Sequence, residues 1–349
     1  MPNRKDIFSQ RNISMKFSVP TNYQASLLDV AEKHGIDELM GASFGPVGHG
    51  CTLSSSSESG EMMGNAERGR HIREAADRGF SFNYVMDAPC IGNQEYDLME
   101  KEKIVDHLKW VSDQGASAIT VGGAFYIELV KHHLPHLSVV VSQSVYVDSI
   151  DKTRQFVQLG ADGVTVHPDV NRSLSMMRAL GEYPQWGVRA VVNSGCVFQC
   201  VYRDFHVLET GHHTSKNRGD LRTDTCMHSF KDMGPALVQM RWIRPEDVSR
   251  YTEMGIERFV ILGQQRSTVW INAAIRIWQQ GRFDGDLLPF LDGGVRLSPT
   301  MAGGPGLMSG RLNDFLSVFK NDNCRLGCHD CLRCSELAKA AVTGLENIQ

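Results

Sequence analysis

The feature that most constrains this chain is an eightfold alternation, in which short β-branched runs take turns with longer amphipathic segments along its 349 residues. The short runs begin at Lys16 (KFSVP), Glu38, Ser81, Ala118, Leu137, Gly163, Val188 and Arg258, and each has the length and residue choice of a buried strand. Between them apolar residues recur at helical spacing, as in SLLDVAEKHG and VWINAAIRIWQQG. Several of these segments end in glycine, which most easily takes the left-handed conformation of a helix C-cap. Eight strand–helix units in series predict an α/β fold, a parallel sheet closed into a (βα)8 TIM-like barrel over residues 1–290. A doubly wound open sheet is the alternative, and both collect function in the loops after the strand C-termini.

Two of those loops are long: Phe44 to about Asn65, rich in Gly and Ser, and Ser194 to about Trp242, an insertion after the seventh strand that carries three cysteines. The stretch from Leu287 to Gly310 reads as a linker, so residues 291–349 are expected to form a linker and a small cysteine-rich C-terminal tail.

Lys and Arg number 36 against 40 Asp and Glu. A nucleic-acid partner is therefore unlikely, because such surfaces carry a strong basic excess. No uncharged apolar run approaches the roughly 18 residues of a membrane span, and MPNRKDIFSQRN has no apolar core of a secretion signal. The expectation is a cytoplasmic protein. In that reducing compartment nine cysteines, an odd number, read better as metal ligands than as disulfides.

Cys324, Cys328, Cys331 and Cys334 lie together in the tail. The last three make C-x2-C-x2-C, the spacing by which ferredoxin-type loops hold three corners of a four-iron four-sulfur cube. Zinc is the alternative, though a tetrahedral zinc site usually joins two knuckles across a longer loop; a tail without metal is the third. Ser335 follows Cys334, which excludes a c-type haem motif.

A second constellation, Cys196 and Cys200 in NSGCVFQCVYRDFH, lies just past the seventh strand, and Cys226 returns from the same insertion. Three thiolates there would hold three corners of a cube and leave one iron open to substrate. Cys90, just past the third strand in DAPCIGN, is a candidate fourth ligand, and Cys51 a weaker one, since a lone cysteine is most often inert packing. Arg203 and His206 follow Cys200 closely enough to bind a carboxylate and to move protons beside a cluster. His212 and His213 are as well explained as exposed loop residues. His167 ends the sixth strand at a rim position, and the pattern leaves open whether Asn83 or Tyr84 faces the barrel interior. Ser43 sits in a G-x-S-x-G match that lacks the helix a nucleophile elbow requires, so it reads as a chance match. No H-E-x-x-H helix, P-loop or G-x-G-x-x-G fingerprint occurs.

Taken together, SVPTN, FNYVMDAPCIGN, HPDVNR, NSGCVFQCVYRDFH, WIRPED and the tail CRLGCHDCLRC resemble the collagenase-like U32 peptidases, in particular their iron–sulfur branch. The resemblance runs over nearly the whole chain. It implies a barrel that binds a 4Fe-4S cluster through cysteines, with Cys196, Cys200 and Cys226 as ligands, and an oxygen-independent hydroxylation rather than proteolysis. It leaves open the fourth ligand, a second cluster in the tail and the substrate.

The expected function is thus an iron–sulfur oxidoreductase or hydroxylase acting on a small organic molecule, with one cluster or two and an electron donor or partner subunit. A metal-dependent or collagenase-like peptidase is the first alternative. A cluster-carrying assembly subunit is the second.

Overall fold

The computed structural model describes residues 15–42, 64–212, 233–264, 266–292, 305–319, 324 and 331–344. Its eight strands close into a parallel barrel in sequence order. They are β1 (Lys16–Pro20), β2 (Glu38–Ala42), β3 (Ser81–Met86), β4 (Ala118–Val121), β5 (Ser138–Val141), β6 (Gly163–Thr165), β7 (Val188–Val191) and β8 (Arg258–Val260). The ring is completed by β8 on β1, in the register Lys16 to Arg258 and Ser18 to Val260. Every strand except β5 begins where the residue pattern places it, and β5 begins one residue later.

Helices α1 (Ala25–Lys33), α2 (Asn65–Asp77), α3 (Leu98–Asp113), α4 (Ala124–His133), α5 (Ile150–Gln158) and α6 (Leu174–Gly181) follow the first six strands, and α10 (Thr268–Gln280) follows β8. The connection after β7 holds α7 (Arg203–His212), α8 (Met233–Gln239) and α9 (Val248–Glu253). Periodicity predicts a loop where α7 stands. Phe205 and Leu208 on that helix are exposed, so it lacks the buried apolar stripe that marks a helix in sequence.

The outer core lies between strands and helices, where Phe17, Val19 and Phe259 pack with Leu27, Leu28, Ile271 and Trp278. The barrel interior is separate. Its upper layer is apolar, made by Met40, Val85, Val191 and Val260. Its floor is polar: Nη1 and Nη2 of Arg189 both donate to the Glu38 carboxylate, and Asn83 accepts from Thr120 at 2.9 Å. Asn83 therefore faces inward. Tyr84 points the other way, its hydroxyl 2.7 Å from His107 Nε2 on α3.

The described residues beyond 305 fold back onto the barrel. Strands β9 (Gly306–Leu307) and β10 (Val342–Thr343) pair antiparallel, and Cys334, Ala338 and Ala341 of α11 (Arg333–Ala341) join the same apolar core as the barrel helices. Arg172 anchors this junction. Its guanidinium donates to the carbonyls of Val238 and Met240 and lies over the rings of Trp242, Phe315 and Phe319. Among the described residues no helix is long and apolar enough to cross a membrane.

Candidate functional site at the strand C-terminal rim

The mouth of the barrel is a pocket whose polar lining includes Asp87, Thr120, Ser142, Gln143, Thr165 and Gln264. Asp87 directly follows β3 and is buried. Its carboxylate accepts from Ser142 Oγ at 3.0 Å, and its carbonyl accepts from Ser144 Oγ at 2.6 Å, so the β5 loop holds it in place.

A denser cluster stands on the rim beside β6 and β7. Asp169 Oδ2 accepts from the Tyr146 hydroxyl at 3.0 Å and from the Gln199 backbone N–H at 3.3 Å. Both donors come from residues with left-handed backbone, at φ 53 and φ 51. Non-glycine residues take that conformation at a cost, and such strain gathers at functional sites. The Asp169 N–H donates to His167 Nδ1 at 3.2 Å. That nitrogen is therefore the unprotonated one, and Nε2 carries the hydrogen. Burial, helped by the charges of Arg203 and Lys152, lowers the His167 pKa to about 2, so the ring stays neutral. Burial likewise pushes the Tyr146 hydroxyl up to about 12, with the Asp169 carboxylate adding to it. Asp169 itself is raised by burial, against the pull of the Tyr146 bond, Arg241 and the Gln199 N–H.

Arg203 and the cysteines border this cluster. Arg203 opens α7; its N–H donates to the Cys200 carbonyl, and its guanidinium lies 3.4 Å from the Tyr146 ring centroid. One of its nitrogens bonds Asp204 at 2.7 Å, while Nη1 is buried without a hydrogen-bond partner. His206 is half-buried one turn further along α7. Cys196 and Cys200 are half-buried on the segment leaving β7.

Cys90 occupies the same end of the barrel, but after β3, four strands away around the ring. Its Sγ is 3.8 Å from Asn93 Oδ1. Burial raises its thiol pKa and the neighbouring Glu95 carboxylate raises it further. Cys226 and Cys51 lie outside the described residues, as do His213 and Ser43; His212 ends α7. In the tail Cys324 is half-buried, Cys331 exposed and Cys334 buried, and Cys328 lies outside the described residues. Among the described residues no three Cys, His, Asp or Glu side chains stand together closely enough to hold a metal. What the structure brings together is Arg203 with Cys200, and His167 with Tyr146 and Asp169.

Tyr146, Asp169 and Gln199 are not singled out by sequence. The one available hint was HPD, in which a proline opens a helical turn directly after a strand and fixes the residues on either side of it.

No protein-family model matches the chain. An uncharacterized protease of Methanocaldococcus jannaschii is 24% identical over 280 residues, covering 78% of this chain and 80% of its own length. A solved U32 peptidase structure superposes with a TM-score of 0.53 at 20% identity, covering 72% of this chain and 93% of that one. The resemblance to the U32 peptidases is borne out. In this U32-like barrel the segments that carry the resemblance, FNYVMDAPCIGN, HPDVNR and NSGCVFQCVYRDFH, supply Asp87, His167, Asp169, Gln199 and Arg203. They converge on one rim.

Proposed function

We propose that this chain is an enzyme whose chemistry takes place at the β6–β7 rim, and that it is an iron–sulfur oxidoreductase performing an oxygen-independent hydroxylation or related redox modification of a small organic substrate. The observation that carries this reading is the pairing of Arg203 with Cys200: a guanidinium with a buried, unpartnered Nη1 opens the helix directly behind two half-buried thiols. Thiol donors suit iron–sulfur chemistry, and Cys196 and Cys200 with Cys226 are the residues that would hold a 4Fe-4S cluster. Such a cluster supplies one-electron redox chemistry. The chain's own residues do the rest. Arg203 receives a carboxylate of the substrate through its free N–H edge, His167 donates a hydrogen bond from Nε2 without gaining charge, and His206 on α7 moves protons. The tail cysteines Cys324, Cys328, Cys331 and Cys334 are a second metal site in this proposal, holding a cluster that relays electrons or, alternatively, zinc.

A peptidase is the second reading, favoured by the name of the methanogen relative. Here the general base would be Asp169, which burial raises toward useful basicity. His167 is unsuited to that role, because its ring resists protonation.

Purification without oxygen, with iron and acid-labile sulfide determined on the product, tests the proposal. The expected result is a brown protein with iron and sulfide in equal amounts. A colourless, iron-free protein that cleaves peptides replaces it with the second reading.

A further inference from the structure

Four arginines are buried among the described residues: Arg68, Arg172, Arg241 and Arg244. Arg68 donates to Asn65, Arg172 to two carbonyls and Arg244 to the Leu312 carbonyl. Arg241 differs. It is 3% exposed, yet its side chain makes no hydrogen bond or ion pair with any described residue, and its Nε is buried without a partner. A guanidinium has five N–H donors and is charged at every relevant pH. Leaving such donors unmet in the interior, as Nε is here, costs more than one aromatic stack returns.

The position of Arg241 indicates what meets them. Its guanidinium lies 3.4 Å from the centroid of the Phe198 ring, and Phe198 stands midway between Cys196 and Cys200. Its charge also acts on Asp169, as that of Arg203 does. Phe198 directly precedes Gln199, whose N–H donates to Asp169, and the Tyr146 hydroxyl donates to the same carboxylate, so each arginine packs on the ring of a residue held next to that carboxylate, Arg241 on Phe198 and Arg203 on Tyr146. Stacking occupies the face of a guanidinium and leaves its edge, the part that grips an oxyanion in two places. Each arginine retains a buried N–H without a partner, Nε of Arg241 and Nη1 of Arg203.

Charge counting narrows the ligand. Two guanidinium charges stand against one Asp169 carboxylate, and His167 is neutral. Asp204, bonded to Arg203, is 84% exposed and solvated, so it offsets little. The guanidiniums outnumber that carboxylate, which suits an anionic ligand.

We propose that Arg241 and Arg203 form an oxyanion site on the β6–β7 rim that binds the carboxylate of a small organic molecule. The site occupies the same rim as the proposed function but does not depend on a metal being bound.

The experiment is a thermal-unfolding titration of the intact chain with acetate and, separately, inorganic phosphate, at ionic strength held constant with chloride. Iron is measured in the same samples, so absence of a cluster and absence of an anion response are separate results. Acetate is expected to raise Tm saturably, and Arg241→Met to weaken half-saturation at least tenfold, with Arg241→Lys in between because it keeps charge but loses the fork. No saturable response of the unaltered chain to acetate overturns the proposal, whatever the variants do. So does a response to phosphate alone. An acetate response unchanged in a folded Arg241→Met variant also overturns it, and if that variant loses iron as well, Arg241 is assigned instead as counter-charge to the thiolates.

Discussion

The guanidinium carbon of Arg203 lies over Tyr146, 3.4 Å from the ring centroid, while the hydroxyl of the same tyrosine donates to Asp169 at 3.0 Å. One side chain thus positions a cation with its face and an anion with its edge. The two functions separate by substitution. Tyr146→Phe keeps the ring and removes one hydrogen bond, for an expected loss of about 1 kcal/mol. Tyr146→Leu removes the stack as well and leaves Arg203 unsupported, at about 2 to 3 kcal/mol in all. Urea unfolding of both variants checks this, and equal losses would show that the ring contact contributes nothing.

His167 makes stability depend on pH. Its folded pKa, about 2, is below its unfolded value, so the unfolded chain takes up the proton first. Stability from the neutral ring is complete above the unfolded value, about 6.5, and declines by about 1.4 kcal/mol per pH unit as pH falls below it. Asp247 acts in the opposite sense, because burial raises its carboxyl to about 6. Comparison with His167→Asn cancels that contribution, since Asn keeps an acceptor for the Asp169 N–H and does not titrate. Relative to its value at pH 7.5, the stability of this variant should gain about 2 to 3 kcal/mol on wild type by pH 4.5. A difference that does not change with pH would place the imidazole in water.

The barrel floor provides a third test. Burial alone would raise Glu38, but Arg189 outweighs it and holds the carboxyl below its usual range. Its stabilisation is therefore present above the unfolded carboxylate pKa and is lost as pH falls through the lowered folded value. Glu38→Gln leaves Arg189 buried without its charge partner and is expected to cost about 3 to 5 kcal/mol. Replacing the pair together, Glu38→Gln with Arg189→Met, should recover much of that loss. A double variant as unstable as the sum of the singles would mean that the two residues act independently.

These tests divide along the same line as what the sequence makes legible. The strands could be placed because Val139, Val140 and Val141, or Val188, Ala190 and Val191, are buried by their own strand, and burial leaves its mark in residue type. Cysteines are equally visible, since few other roles need them. Asn83 and Tyr84 were ambiguous because a barrel strand is buried on both faces, so alternation does not report the direction. The rim cluster was least legible. Tyr146, Asp169, Gln199 and Arg241 come from different connections, and the left-handed backbone at Tyr146 and Gln199 carries no glycine to announce it. Arg241 looks like any solvated arginine until the fold buries it against Phe198.

The cysteines give the last prediction, in which iron content is the readout. In the proposed enzyme Cys200 is a ligand of the rim cluster, whereas Cys90 follows β3, four strands away around the ring. Cys200→Ser is therefore expected to remove the rim iron, and Cys90→Ser to leave it. Cys331 is exposed in the tail and Cys334 is buried in the core, so Cys331→Ala tests the second site without opening a cavity. If the tail holds its own iron–sulfur cluster, that change removes roughly half the iron and spares the rim, while Cys200→Ser does the reverse. Iron unchanged in Cys331→Ala, with zinc lost instead, identifies the tail as a zinc site. Complete loss of iron from either single variant requires one cluster held by ligands from both regions, and loss from Cys90→Ser would make that residue the fourth ligand after all.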